Sequence, residues 1–320
     1  MKKQVLIGKN LSLGYEAGNQ QKTILSNLDF ELLSGQMTCL LGPNGVGKST
    51  LIKAIMGKIE PFKGSIELFG SAPTSYHRDD LSKKLSVVLS EPIFPAQMTV
   101  KQLVALGRTP YLNWSGRLSD QDKNEVYKAL EATKLEYLRK ERLGELSDGQ
   151  RQKAMIARAL AQDCPLMVLD EPTSHLDLVN RYEVMQLLQD IAKTQEKAVL
   201  VVTHDLDIAI ETGQQLWILN CGSPLISGTP EDLILQGEIN QLLPSDKYFF
   251  DSNRGKVVMH HQTTKIEIEG PDELVYWVEK ALIKSGKHLP KDSIRISENP
   301  FRIFCQGKEF TRISELIEIL

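Results

Sequence analysis

The run Gly42-Pro43-Asn44-Gly45-Val46-Gly47-Lys48-Ser49-Thr50 constrains this chain more than any other feature. It fits the pattern G-x-x-x-x-G-K-[ST] at every fixed position. Before it, Met37-Thr38-Cys39-Leu40-Leu41 reads as a buried strand; after it, Ser49 to Met56 has helical spacing and stops at Gly57. The glycines let the backbone curl so that successive N–H groups and the helix N-terminus aim at phosphate oxygens. Lys48 adds a point charge, and the Ser49 hydroxyl is suited to Mg²⁺. A glycine turn with an incidental lysine is the bland alternative, which the strand and helix on either side disfavour.

The order of elements around this loop predicts a layered α/β fold. Ser65 to Phe69 alternates like an exposed-face strand, Ser86 to Leu89 reads as a central strand, and Ser119 to Thr133 as a helix with an acidic start. A helix from Asp148 to Ala161 leads into the apolar strand Leu166-Met167-Val168-Leu169, which ends in Asp170-Glu171. A helix from Leu178 to Lys193 then leads to the strand Ala198 to Val202, which ends at Thr203-His204-Asp205. Strands alternating with helices imply a largely parallel sheet whose ligands bind at the carboxyl ends of its strands. Asp170 is the carboxylate delivered beside the phosphate loop to hold Mg²⁺, directly or through water. Glu171, one residue on, is placed to polarise an attacking water.

Composition narrows the class. Three hundred and twenty residues suggest about two domains, and 41% hydrophobic with 25% charged residues excludes disordered, collagen-like and disulfide-scaffold chains. A formal charge of −3 gives no general basic surface, so nucleic acid is not an expected partner. Cys39, Cys164, Cys221 and Cys305 form no Cys-x-x-Cys pair and read as reduced thiols in a cytoplasmic protein. After Met1-Lys2-Lys3 the apolar run Val5 to Gly8 is too short for an export signal, and no apolar stretch is long enough to span a bilayer.

Between the phosphate loop and Asp170 stands Leu146-Ser147-Asp148-Gly149-Gln150-Arg151-Gln152. Ser147 can cap the following helix, and the amides of Asp148 and Gly149 can form a second anion nest. Here the sequence resembles the ABC ATPases, whose signature is usually Leu-Ser-Gly-Gly-Gln; Asp148 takes the third place. The resemblance implies a P-loop NTPase fold with a RecA-like parallel core, an antiparallel β subdomain and a helical subdomain, acting on ATP with Mg²⁺. It implies that Tyr15, in Leu13-Gly14-Tyr15, stacks on adenine, and that Gly42 to Thr50 hold the phosphates. Ser49 and Asp170 would hold Mg²⁺, Glu171 would act as general base, and His204 would contact the γ-phosphate. Ser174-His175-Leu176-Asp177 matches the loop through which subunits communicate. Two copies pair head to tail in this family, so ATP would lie between Lys48 of one and Ser147, Asp148, Gly149 and Gln150 of the other. One position departs: where the family places a glutamine, this chain reads Leu89-Ser90-Glu91-Pro92, so Ser90 or Glu91 must substitute.

A single ATPase unit without a coiled-coil insertion points to a transport ATPase docked on separate membrane permease subunits, peripheral to the inner face of the membrane. Leu106-Gly107-Arg108-Thr109-Pro110-Tyr111 and Trp114-Ser115-Gly116-Arg117-Leu118-Ser119 resemble importers of iron-siderophore complexes, haem and cobalamin, which work with a solute-binding protein. Their Trp, Tyr and Arg suit an interface anchor. The alternative is a soluble ABC ATPase that remodels a protein complex, as in iron–sulfur assembly; a P-loop kinase would leave Leu146 to Gln150 without a role. The resemblance covers Lys2 to Gln236, so residues 1–240 are assigned to the ATPase domain. A small α+β domain is expected over 245–320, with strands at Lys265–Glu269, Ile294–Ile296 and Arg302–Cys305 and helices at Pro271–Ser285 and Ile313–Leu320; dimer support or regulation is a role open to it. His260-His261, neighbours on a strand, would face opposite ways and make a solvated pair rather than a metal pair.

Overall fold

A computed structural model of the chain describes residues 3–18, 20–90, 95–243, 247–252, 254–259, 267–286 and 293–320. Two compact units emerge, Met1–Pro244 with Phe250–Lys256, and Ser245–Phe249 with Val257–Leu320. The first unit begins with β1 (Gln4–Ala17), β2 (Gln20–Leu33) and β3 (Gln36–Leu41), followed by α1 (Lys48–Ile55), β4 (Lys63–Leu68), α2 (Arg78–Ser82) and β5 (Leu85–Val88). Then come α3 (Val100–Ala105), α4 (Asp120–Ala132), α5 (Asp148–Ala161), β6 (Leu166–Asp170), α6 (Leu178–Thr194) and β7 (Ala198–Val202). It closes with α7 (Leu206–Thr212), β8 (Gln215–Ile218), β9 (Ile226–Gly228) and α8 (Pro230–Leu235).

The main sheet runs β5-β6-β7-β3-β8-β9, parallel except for its last strand. Every residue of β3 and β7 is buried, which is why both read as unbroken apolar runs rather than alternating ones: helices or a second sheet cover both faces. Met37 lies opposite Val199, which in turn lies opposite Met167, and this register brings the ends of β3, β6 and β7 to one rim. The strand predicted as central at Ser86–Leu89 is instead the edge: β5 pairs only with β6, and Leu89 lies outside it, 48% exposed. An apolar run records burial, which helices provide here, and not the number of neighbouring strands.

A second, three-stranded antiparallel sheet, β2-β1-β4, packs Leu6, Leu11, Leu28 and Leu32 into one core cluster with Leu51 and Ile55 of α1 and Leu40 of β3. The strand predicted near Ser65 belongs to it, with Ile66 and Leu68 buried. The helices α3, α4 and α5 form the helical subdomain, each opened by a capping box: Thr99 with Gln102, Ser119 with Asp122, Ser147 with Gln150.

That subdomain corrects one expectation. Arg108 lies in the stretch whose Trp, Tyr and Arg suit an interface anchor, but it is 3% exposed, its Nε donates to Asp122 at 2.9 Å and its Nη1 to the Ala161 carbonyl at 2.9 Å, and its guanidinium lies 3.8 Å from the centre of the Tyr111 ring. Burial raises the Asp122 pKa, yet hydrogen bonds from Ser119 and Arg108 outweigh it and the net direction is down. Arg108→Ala leaves a buried carboxylate without its cation, so it is expected to destabilise the fold by about 3 kcal/mol. Urea denaturation checks this; an unchanged midpoint would show the pair to be idle.

A ribbon of β10 (Tyr248–Asp251) and β11 (Lys256–Met259) has residues in both units, and the second unit continues with β12 (Ile268–Glu269), α9 (Asp272–Ser285), β13 (Ile294–Ser297), β14 (Arg302–Cys305), β15 (Lys308–Phe310) and α10 (Ile313–Ile319). Its sheet runs β12-β13-β14-β15, and Val278 and Leu282 of α9 join Ile294, Ile303 and Leu316 in a core of their own. The turn at Pro244-Ser245-Asp246, the pair His260-His261 and the start of the strand predicted at Lys265 lie outside the described residues.

Candidate active site

The glycine loop joins β3 to α1. Gly45 has φ 81° and Gly47 φ 118°, conformations that L side chains rarely adopt, and a Cβ on Gly47 would stand 2.8 Å from the Leu25 side chain. Gly47 is the N-cap of α1 and offers no side-chain acceptor, so the first amides of the helix are left to a ligand. Lys48 is only 9% exposed, and its ammonium donates to the carbonyls of Gly42 at 2.5 Å and Pro43 at 3.3 Å. Burial lowers its pKa, and the charges of Glu171 and Asp170 work against that shift. For Asp170 burial acts first to raise the pKa and Glu171 adds to it, with Lys48 opposing.

A cavity of about 460 Å³ gathers Tyr15, Asn44, Gly45, Gly47, Lys48, Ser49 and Thr50 with Ser90, Asp170 and Glu171. Three expected groups therefore share one space: the stacking tyrosine, the phosphate loop and the acidic end of β6. Tyr15 is fixed by its hydroxyl, 3.2 Å from the Thr50 hydroxyl, and by Lys53, whose ammonium donates to that hydroxyl at 3.2 Å and sits 5.2 Å from the ring centre. Lys53 was not singled out from the sequence; its place one helical turn beyond Ser49 was the available signal. Of the two residues that could stand in for the expected glutamine, Ser90 lines the cavity, and Glu91 lies outside the described residues.

Glu171 has φ 52°, an uncommon conformation for this residue type, held where its N–H donates to the Val202 carbonyl at 2.8 Å. That crossing from β6 to β7 places the carboxylate 2.7 Å from Nδ1 of His204. Where the carboxylate accepts in this bond, Nδ1 carries the proton and Nε2 faces away from it. Beside it, Asp205 caps α7 and accepts from Nη1 of Arg181 at 3.1 Å, which fixes the loop that carries His204.

The signature residues stand apart. Ser147 accepts from the Gln150 N–H at 3.3 Å, and the Gln150 side chain accepts from the Ser147 N–H at 3.0 Å, but none of Ser147, Asp148, Gly149 and Gln150 lines the cavity. Gly149 packs so tightly that a Cβ would approach Oδ1 of Asn180 to 2.5 Å. The Asp148 carboxylate accepts from Nη1 of Arg151 at 2.8 Å.

The donor set suits a hard cation held largely by phosphate. Ser49 and Asp170 contribute oxygens to one cavity, and among the described residues no cluster of three or more His, Cys, Asp or Glu would hold a metal unaided.

Comparison with known proteins bears on the family and the fold. A family model described as ABC transporter matches residues 25–174. The achromobactin transport ATP-binding protein of Dickeya dadantii is 36% identical over 229 residues, 72% of this chain and 84% of that one. Among solved structures, a transporter described as metal-chelate type in an inward-facing conformation superposes with a TM-score of 0.66 at 29% identity, covering 82% of this chain and 100% of that one. A dimeric bacterial ABC transporter cassette superposes with a TM-score of 0.60 at 27% identity, covering 70% and 98%. A phosphate loop, an acidic strand end and a capped signature helix on this fold, together with relatives of that similarity, leave one conclusion: the chain belongs to the ATP-binding subunits of ABC transporters and is an ATPase.

Proposed function

We propose that the chain powers an importer of iron-siderophore complexes or a related metal chelate, working as a head-to-tail pair on separate permease subunits at the inner face of the membrane. One observation carries the pairing: the phosphate loop, Asp170 and Glu171 share a cavity from which Ser147 to Gln150 are absent, so a second copy must supply them. The solute class rests on the likeness to the achromobactin transport protein and on the metal-chelate type transporter.

In this reading the N–H groups from Gly45 to Ser49 and the Lys48 ammonium hold the phosphates, and Tyr15 stacks on adenine. Ser49 and Asp170 would hold Mg²⁺, which would supply neutralising charge to the phosphates. Glu171 takes a proton from the attacking water, and His204, oriented through Nδ1, presents Nε2 to the γ-phosphate. ATP between two copies closes the pair, and its hydrolysis reopens it, which is the motion handed to the permease. Trp114, fully exposed on the helical subdomain, and half-exposed Leu106 offer the permease an anchor, a role that falls to them because Arg108 is buried. The experiment is affinity purification of the tagged full chain from detergent-solubilised membranes. Retention of a polytopic membrane protein, lost in Trp114→Ala, is expected; retention of soluble partners alone would favour the remodelling reading.

A further inference from the structure

Asp148 puts a carboxylate at the first position of α5, beside the amides that the proposed mechanism offers to the second copy's nucleotide. Aspartate at such a position readily turns its oxygens onto nearby backbone N–H groups. A carboxylate folded onto those amides would occupy the nest in place of phosphate. In the structure it is drawn the other way, to Nη1 of Arg151 one turn along the helix at 2.8 Å. The same guanidinium reaches two further acceptors, the Leu146 carbonyl through Nη2 at 2.9 Å and the Leu143 carbonyl through Nε at 3.4 Å. Those contacts tie the guanidinium to the segment leading into the helix, so the partner of the carboxylate is itself anchored.

We propose that Arg151 is a positioning residue for ATP hydrolysis: it holds the Asp148 carboxylate off the amides of the signature turn and so keeps them open to the γ-phosphate bound by the second copy. This rests on the head-to-tail reading above. Glycine in the third place of the signature needs no such restraint, so the pair is what makes aspartate tolerable there.

A double-mutant cycle on the full chain, read as KM for ATP and kcat, tests it. Arg151→Ala is expected to raise KM roughly tenfold, as the released carboxylate competes with phosphate. In the Asp148→Gly background the same change is expected to raise KM no more than about twofold, measured against Asp148→Gly itself. An equal penalty in both backgrounds would overturn the proposal and reduce Arg151 to a support for the Leu143 and Leu146 carbonyls. Ser147→Arg separates the two levels: it should abolish turnover if the signature meets nucleotide. Undiminished turnover in Ser147→Arg would sink the head-to-tail reading itself, whereas abolished turnover with an additive cycle would sink only the role of Arg151.

Discussion

Glu171→Gln should bind ATP as tightly as the unaltered chain, lose about two to four orders of magnitude in turnover, and accumulate as an ATP-loaded dimer. The substitution suits its place. Glutamine has the volume of glutamate, and the backbone N–H that bonds the Val202 carbonyl is untouched, so the turn at φ 52° is kept. The amide oxygen can still accept from Nδ1 of His204, so the imidazole stays near its present orientation. Only the capacity to take a proton disappears. The phosphate contacts come from the loop and from Lys48, which keeps its carbonyl partners and the charge of Asp170, so affinity is preserved while the step that reopens the pair is blocked. Single-turnover hydrolysis with radiolabelled ATP, beside light scattering with and without ATP, reads both parts. Turnover at the original rate would remove Glu171 from the role of base, and a monomer at saturating ATP would remove the pairing.

Features written in local pattern were legible. The phosphate loop, the buried runs of β3 and β7 and the acidic end of β6 each declare themselves within about ten residues, because burial on both faces and a glycine turn impose their composition directly. What depended on distant partners was not. Leu85 to Val88 look the same whether one strand or two flank them, and the position of β5 at the edge is decided by pairing with β6, far along the chain. Arg108 stood in a stretch resembling an exposed anchor, and only the packing of α4 against α5 brings Asp122 and the Ala161 carbonyl to its guanidinium. At the site, the signature was read as a string, so its aspartate stood out while Arg151 did not. On the helix expected from Asp148 the two are one turn apart, so their spacing was in reach; what sequence does not carry is the anchoring of that guanidinium on the Leu143 and Leu146 carbonyls. The link between Glu171 and His204 was likewise implied as two separate roles, and the crossing from β6 to β7 makes it a hydrogen bond.

Lys48→Ala should abolish measurable ATP binding, a loss of about a hundredfold or more in affinity. The size follows from where the ammonium sits. It is nearly buried, and burial lowers its pKa, so the protein spends folding free energy to keep a cation there. Asp170 and Glu171 partly sustain that charge, and the carbonyls of Gly42 and Pro43 hold it at the mouth of the loop. Among the described residues that line the cavity, alanine removes the one side-chain cation and leaves Asp170 and Glu171 facing the incoming phosphates uncompensated. Attraction is thus replaced by repulsion in a poorly solvated space. Removing the cation also strips Asp170 of the charge that opposes its raised pKa, so its carboxyl shifts further up and its hold on a divalent cation weakens at the acid end of the pH range. Calorimetric titration with ATP measures the affinity directly. Thermal melting supplies the second reading, because a ligand that binds only the folded state raises the midpoint in proportion to the logarithm of its saturation. ATP should raise the midpoint of Glu171→Gln and leave that of Lys48→Ala where it was; a comparable rise in both would mean that the phosphates are held elsewhere.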